Sequence, residues 1–265
     1  MEGVVMFNLF GGEFYKWKKS RSFKICTVIA VAVVVWLYLM IAVASHLAGE
    51  PLTNSEGEIP TVLEMVGEVN STRVGTIFMA IFICIWVVGE YSHGAIKNIA
   101  GKGLTREQVF LSKYFSSVAA TMVMNLIYFA AIVIVGCIYL GTDSIGSGFF
   151  RDLSAYIGLQ LFFGVAVSGI IVAICEFTRN MAVGISISLC ILLLSDVLLM
   201  GLDLLLSAAK LDIKASTYWI INVIKDCPTI GLTADFLGRA ISVMVMWTAL
   251  SLVLGMVHFK RTDVV

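Results

Sequence analysis

Six long apolar stretches, separated by shorter polar segments, dominate the pattern of this chain. A helix needs about 20 apolar residues to cross the hydrocarbon of a bilayer, and these stretches come close to that length or exceed it. They cover residues 26–45, 74–89, 116–140, 155–175, 181–206 and 237–257. Strand-length alternation of polar and apolar residues does not repeat along the sequence, which argues against an outer-membrane barrel. The pattern predicts an all-α integral membrane protein with six transmembrane helices in a single transmembrane domain, residues 1–265.

The composition agrees with a lipid environment. Hydrophobic residues make up 59% of the 265 residues and charged residues 14%, whereas a soluble domain has about half apolar and about a quarter charged residues. So few charges cannot cover a globule of this size with polar surface. The net charge is zero, so charge gives no reason to predict a nucleic-acid partner, and membrane lipid is the predicted surrounding.

Lysine and arginine are unevenly divided between the two sides that six spans define. Twelve fall on the side of the two termini and six on the other side, in longer loops. Because cytoplasmic segments carry the excess of basic residues, both termini are predicted to lie in the cytoplasm of a multi-pass cell-membrane protein. The twelve are Lys16, Lys18, Lys19, Arg21, Lys24, Lys97, Lys102, Arg106, Lys113, Arg179, Lys260 and Arg261.

The N-terminal segment, residues 1–22, has the pattern of a helix lying in the headgroup region. Phe7, Phe10, Phe14 and Trp17 recur at helical spacing and share one face, and lysines flank that face. An apolar face toward the acyl chains with basic side chains toward anionic lipid is typical of an interfacial helix. The alternative is an unstructured start with a few aromatic residues.

The polar segment between the second and third stretches, residues 90–113, is longer than a plain connection between two helices needs to be. Gly101-Lys102-Gly103 interrupts it. Thr105 and Gln108 then have the spacing of a capping box, which predicts a new helix that continues into the third span. The segment therefore predicts a short helix, a turn and an extension of span three. Docking of a soluble partner and a mere spacer are equal alternatives from the residues alone.

The same segment carries Glu90, Gly94 and Lys97 at spacings of four and three residues, followed by Arg106 and then by Lys113 at the foot of the next span. This set resembles a motif of type-two ABC exporter permeases. The family pattern is E-x-x-x-G-T-x-K, followed by an arginine and then by a lysine. It departs at Ala95, where the family usually has threonine, while Gly94 keeps the freedom for a close turn. The layout resembles the family over the whole chain, but the specific motif covers only residues 90–113.

Members of that family are small six-span subunits with an N-terminal interfacial helix and a cytoplasmic coupling helix after span two. The resemblance implies two protein partners for this chain: an ABC ATPase subunit, and a second permease copy or a paralogue. It also implies that Glu90 and Lys97 hold the coupling helix through charge pairs, and that Arg106 and Lys113 anchor span three at the headgroups. The implied coupling residues are Glu90, Tyr91, His93, Gly94, Lys97, Arg106 and Lys113.

No catalytic or metal-binding motif stands out in the sequence. The nearest match to a Walker A motif, at Gly101-Lys102, is followed by Gly103 and has Ile96 where the first glycine should stand. We therefore expect this chain to be no enzyme and to bind no cofactor, with ATP and Mg on the partner ATPase. The six cysteines form no CxxC pair and no cluster with histidine, so no metal site is predicted. Those in or beside the spans are interpreted as small packing residues.

Two carboxylates, Asp196 and Asp203, lie in the fifth apolar stretch, seven residues apart and so nearly on one helical face. A charge inside a bilayer is costly and usually faces a partner or a wet cavity. One interpretation is a path for a substrate, a proton or a cation. The other pairs Asp196 with a polar neighbour and puts Asp203 at the outer interface. The segment that follows, residues 207–236, is predicted to form outer re-entrant helices or, alternatively, a helix on the outer leaflet.

Together these features predict the permease subunit of an ATP-driven ABC exporter, of bacterial origin. Its predicted substrate is amphipathic, such as a bacteriocin peptide, a lipid or a drug, because a narrow apolar path with few charges suits such molecules. The alternative is an ion- or proton-coupled secondary transporter or channel that uses Asp196. That class is typified by internal repeats and by broken helices, but no convincing repeat is found, and Pro51, Pro60 and Pro228 all lie outside the spans. A membrane scaffold without transport is a third possibility.

Overall fold

The computed structural model of the protein describes residues 2–49, 59–92, 105–141, 148–211, 214–229 and 231–261. Every regular element in these ranges is helical, which confirms the all-α fold. The long helices are α1 (Glu2–Lys19), α2 (Arg21–Ala48), α4 (Val74–Ser92), α5 (Arg106–Leu140), α6 (Phe149–Thr178), α7 (Met181–Ala208) and α9 (Ala234–Arg261). The shorter elements are α3 (Val62–Ser71), a 3-10 helix (Ala215–Tyr218) and α8 (Ile220–Lys225).

The six predicted spans are confirmed as α2, α4, α5, α6, α7 and α9, each of them long and apolar enough to cross a bilayer. Most of them extend beyond the apolar stretches because polar caps, not the last apolar residue, end a helix. Ser20, for example, accepts from the backbone N–H group of Phe23 at 3.4 Å and so starts α2 at Arg21, five residues before the apolar stretch begins. With 35 residues, α5 is about 50 Å long and exceeds the hydrocarbon thickness.

The capping box predicted at the start of α5 is confirmed. The Gln108 N–H donates to the Thr105 hydroxyl at 3.3 Å, and the Thr105 N–H donates to the Gln108 side chain at 3.1 Å. A second capping box, between Thr61 and Glu64, starts α3. This helix lies between the first two apolar stretches, in one of the polar segments where the hydrophobic pattern predicts no helix. The buried face of α3, with Val62, Leu63 and Val66 among its residues, packs on α5.

Helix α6 lies at the centre of the bundle, where it contacts α4, α5, α7 and most extensively α9. Glycines allow this close approach, since small residues let the backbones of membrane helices come together. A Cβ atom at Gly169 of α6 would lie 2.5 Å from the Ser251 hydroxyl of α9. A Cβ atom at Gly255 of α9 would lie 2.7 Å from the Phe110 ring of α5. The two ends of the bundle differ in chemistry, and we call the end that carries α1 the α1 face and the other end the far face.

The helix predicted at the N-terminus is present as α1, although its aromatic face is used differently from the prediction. Trp17 is buried, with its ring centroid 4.9 Å from that of Phe23. Phe14 is exposed, and α1 packs chiefly on α5. One end of the predicted lipid-facing stripe therefore belongs to the protein core. The side chains of Phe7 and Phe10 lie outside the described residues, and the place of α1 in the headgroup region stays a prediction.

The segment between α7 and α9 folds back and packs against the side of α9. The Trp247 indole N–H donates to the Tyr218 carbonyl at 2.9 Å, and the Trp219 and Trp247 ring centroids are 4.8 Å apart. Trp247 lies well inside α9, about 20 Å along its axis from Ala234 by the rise of a helix. Ile220 and Ile221 of α8 are buried. The re-entrant arrangement itself depends on the position of the lipid surface and stays a prediction.

Candidate functional site

A group of charged residues joins three helices, α1, α4 and α5, at the α1 face. Glu90, in the last turns of α4, is bonded by the Lys113 ammonium group of α5 through one carboxylate oxygen. Its other oxygen lies 3.5 Å from the Lys16 ammonium group of α1. Lys16 in turn donates to Glu13 at 2.7 Å. We call Glu13, Lys16, Glu90 and Lys113 the base cluster.

The base cluster is mostly buried. The side chain of Lys113 is 2% exposed, that of Glu13 is 5% exposed and that of Glu90 is 13% exposed. Removing one partner of such a buried pair leaves the other charge uncompensated, which is strongly destabilising. Lys16 is the partly solvated member: burial alone would lower its pKa, but the hydrogen bond and charge of Glu13 and the charge of Glu90 outweigh burial and raise the pKa.

A second contact joins α4 to α6 beside the base cluster. The Tyr91 hydroxyl donates to a carboxylate oxygen of Glu176, which is fully buried in the last turns of α6. The guanidinium of Arg179 lies 5.2 Å from the centroid of the Tyr91 ring, within the range of a cation–π interaction. Arg179 also acts electrostatically on Glu176, as does Lys113. The two consecutive residues Glu90 and Tyr91 therefore bind α4 to α1, α5 and α6 at one level.

The structure brings together three of the seven predicted coupling residues: Glu90, Tyr91 and Lys113. His93, Gly94 and Lys97 lie outside the described residues, and so does the side chain of Arg106, the first residue of α5.

The predicted role of Lys113 is wrong. It does not anchor span three at the headgroups, because its ammonium group is buried on Glu90. The partners that the structure describes for Glu90 are Lys113 and Lys16, so its predicted charge pair with Lys97 stays outside the described part of the chain.

Sequence reasoning missed Glu13, Glu176 and Arg179 as members of this site. Glu176 carried a signal, since it is a carboxylate at the end of an apolar stretch, as Asp196 is within one. The partner of such a residue lies on another helix, and a single sequence gives no register between helices. Glu13 carried a weaker signal: it is spaced to pair with Lys16 on one turn of helix.

At the far face, Asp196 is paired. Both of its carboxylate oxygens accept from the Arg73 guanidinium, at 2.9 and 2.7 Å. Arg73 also donates to the Leu192 carbonyl at 2.7 Å, and the Lys225 ammonium group lies 3.8 Å from Asp196. This matches the second interpretation of Asp196 in the sequence, in which it pairs with a polar neighbour, and Arg73 is that neighbour. Arg73 holds a positive φ of 61° directly before α4, which is costly for a residue with a Cβ atom.

Asp203 has a different role at the same face. One of its oxygens accepts from the backbone N–H groups of Ala215 and Ser216, at 2.6 and 3.3 Å, at the start of the 3-10 helix. Asp196 and Asp203 both line an open cavity of about 770 Å³ between α7 and the segment of the 3-10 helix and α8. Its apolar walls include Met200, Leu204 and Tyr218.

The cavity therefore offers both apolar and charged surface. Within the described ranges, no three histidine, cysteine or carboxylate residues come together as a metal site would require.

Comparison with protein families gives a match. A family model described as "ABC-2 family transporter protein" matches residues 9–195, which is well over half of the chain and includes the base cluster and Glu176. No match is found among curated proteins.

Proposed function

The chain belongs to the ABC-2 family of transporter proteins, and on that premise we propose that it is the membrane-spanning permease subunit of an ATP-driven exporter. ATP and Mg are held by a separate ABC ATPase subunit, while this chain binds no cofactor and carries out no catalysis. Its place is a bacterial cell membrane, with both termini in the cytoplasm. The excess of lysine and arginine at the α1 face supports this orientation.

The observation that carries the proposal is the anchoring of Glu90 and Tyr91. In this proposal the ATPase docks on residues 91–100, so Glu90 directly precedes the docking segment and Tyr91 begins it. Buried ion pairs and hydrogen bonds fix the end of α4 to α1, α5 and α6. A push on the coupling segment therefore moves α4 together with the bases of three other helices. Such a contiguous set of contacts is what a movement needs in order to travel from a docked ATPase to the spans.

The proposed substrate is amphipathic, such as a bacteriocin peptide, a lipid or a drug. The far-face cavity supports this class because the apolar residues Met200, Leu204 and Tyr218 line it together with the charged Lys225 and Asp203. The proposed assembly has two permease chains, identical or paralogous. The weak burial of α7 within a single chain supports this dimer. Of the membrane-spanning part of α7, 11% is buried, against 56% for α6.

Capture of the partner tests the proposal. Tagged protein is extracted in mild detergent from its native host, and the eluate is assayed for ATP hydrolysis and for the mass of the complex. We expect a co-purifying ABC ATPase and two permease chains in each complex. Replacement of residues 93–100 by an equally long Gly-Ser segment should abolish this capture without changing the thermal unfolding of the permease.

The matched control replaces residues 51–58 in the same way. This segment has the same length and precedes α3 in the sequence, and the predicted topology assigns it to the side opposite the two termini. Capture by this variant should equal that by the wild type. Equal loss of the ATPase from both variants, or folded wild-type protein with no ATPase, would contradict the proposal.

Asp196→Asn distinguishes the exporter from the alternative, a secondary transporter that titrates Asp196. For the exporter we expect transport to change by less than about fivefold and to keep its pH profile. The asparagine oxygen still accepts from Arg73, and the pair is partly exposed. Transport into vesicles is measured between pH 5 and pH 8. Loss of transport with loss of its pH dependence would instead favour the secondary transporter.

A further inference from the structure

Two buried thiols lie against each other inside the membrane-spanning part of the bundle. The Cys175 thiol of α6 donates to the Cys84 sulfur of α4, with the two sulfur atoms 3.4 Å apart. Both residues are fully buried. The Ser188 hydroxyl of α7 lies 3.7 Å from the Cys84 sulfur. Gly184, one turn before it on α7, passes over both sulfur atoms, because a Cβ atom there would lie 3.7 and 3.8 Å from them.

We propose that Cys84 and Cys175 form an oxidative modification site, at which an organic hydroperoxide of the bilayer converts the two thiols to a disulfide between α4 and α6. One thiol sulfur attacks the peroxide, so the O–O bond breaks, an S–O bond forms and the thiol proton leaves with the alcohol. The sulfur of the other thiol then attacks the sulfenic acid, so an S–S bond forms and water leaves with its proton. The thiols lose two electrons, and the hydroperoxide is reduced to alcohol and water.

The geometry suits this reaction. A disulfide has a bond length of about 2.05 Å, so the sulfur atoms must approach by about 1.4 Å. Gly184 presents no side chain to the pair, and its Cβ position is at ordinary contact distance rather than in a clash. The bilayer position selects the oxidant, because a lipid hydroperoxide partitions into the phase that surrounds these helices.

The bond would lie directly beside the contacts of the α1 face. Cys84 precedes Glu90 on α4, and Cys175 precedes Glu176 on α6. A disulfide would therefore join covalently the same two helices that Tyr91 and Glu176 join by a hydrogen bond. Its effect on transport rests on the proposed function: Tyr91 and Glu176 pass the push from α4 to α6 near the helix ends, and a covalent bond about two turns earlier on α4 prevents α4 from changing its angle to α6 as that push travels.

The test treats wild-type protein in lipid nanodiscs with cumene hydroperoxide, alkylates the remaining thiols and maps the peptides by mass spectrometry. We expect a linked peptide pair that contains Cys84 and Cys175, and its loss after dithiothreitol. Cys175→Ser should give no link, and Cys84→Ser serves as the second variant. Cys190, which is exposed on α7, reports whether oxidant was sufficient. Modified Cys190 with Cys84 and Cys175 left as free thiols, or as unlinked sulfinic acids, would overturn the site.

The effect on the transport cycle is measured separately, as the rate of ATP hydrolysis by the complex with the captured ATPase. Oxidation should lower ATP hydrolysis of the wild type at least tenfold and leave the Cys175→Ser complex unchanged. A link that forms without changing hydrolysis overturns the proposed block, although the modification site itself is established by the linked peptide. Absence of any ATPase partner refutes the proposed function, and the peptide result still decides the site.

Discussion

Lys113→Met should lower the free energy of unfolding by about 3–5 kcal/mol, the cost of breaking a buried ion pair by removal of one partner. Methionine keeps the length of the lysine stem, so the loss comes from charge. Glu90 would keep only Lys16, at 3.5 Å, and the Lys16 side chain is 46% exposed and screened by solvent. Unfolding is followed by tryptophan fluorescence during titration with SDS. The captured ATPase should also hydrolyse ATP without driving transport.

Two further variants distinguish the loss of the buried ion pair from other effects of a lysine-to-methionine change. Lys24→Met, at an exposed position of α2, should unfold as the wild type does. The double variant Glu90→Gln with Lys113→Met removes both charges and should recover most of the lost stability, because no charge is then left buried without a partner. An unchanged midpoint for Lys113→Met would contradict the buried pair.

Tyr91→Phe should separate ATP hydrolysis from transport. The ring and its packing remain, but Glu176 loses the hydroxyl that donates to it. Because Glu176 is fully buried, an unsatisfied carboxylate there costs about 1–3 kcal/mol or more. We expect transport per ATP to fall about tenfold, which corresponds to about 1.4 kcal/mol and so to the lower part of that range. The measurement compares ATP hydrolysis and substrate movement in the same reconstituted vesicles.

Substitutions of Glu176, the acceptor of this hydrogen bond, distinguish loss of the bond from loss of packing. Glu176→Gln keeps an oxygen that accepts from Tyr91 and should retain most transport, whereas Glu176→Ala should not. Tyr15→Phe is the matched control, because Tyr15 is 59% exposed on α1. If Tyr91→Phe transports as well as the wild type, the α4–α6 contact takes no part in coupling.

The spans could be predicted from the sequence because lipid imposes a simple rule. Any helix that crosses it needs about 20 apolar residues, and six such stretches were visible. The cap of α5 could be predicted as well, since Thr105 and Gln108 are close in sequence. The same local rule applied to Thr61 and Glu64 would have found α3. It was missed because α3, with 10 residues, is too short to cross a bilayer and falls within a polar segment between two apolar stretches.

The candidate site could be predicted only in part. Glu90, Tyr91 and Lys113 were found through the resemblance of their segment to a family motif. Their partners were not found, because the pairings of Glu90 with Lys16 and of Tyr91 with Glu176 depend on the order and rotation of the helices. Hydrophobic periodicity says little about which face of a membrane helix points toward the bundle, because the lipid-facing surface is as apolar as the core. The partner of Asp196 was left open for the same reason, and Arg73 lies far from it in sequence.

The central place of α6 has a consequence for biosynthesis. Its most extensive contact is with α9, the sixth span, and the seam between them runs along Gly169 and Ser251. While the first five spans leave the translocon, the α6 face of small residues has only lipid or the insertion machinery against it. Completion of the bundle is therefore a late event that waits for the last span. Until that moment the nascent chain shows this face to the chaperones and proteases that survey the membrane.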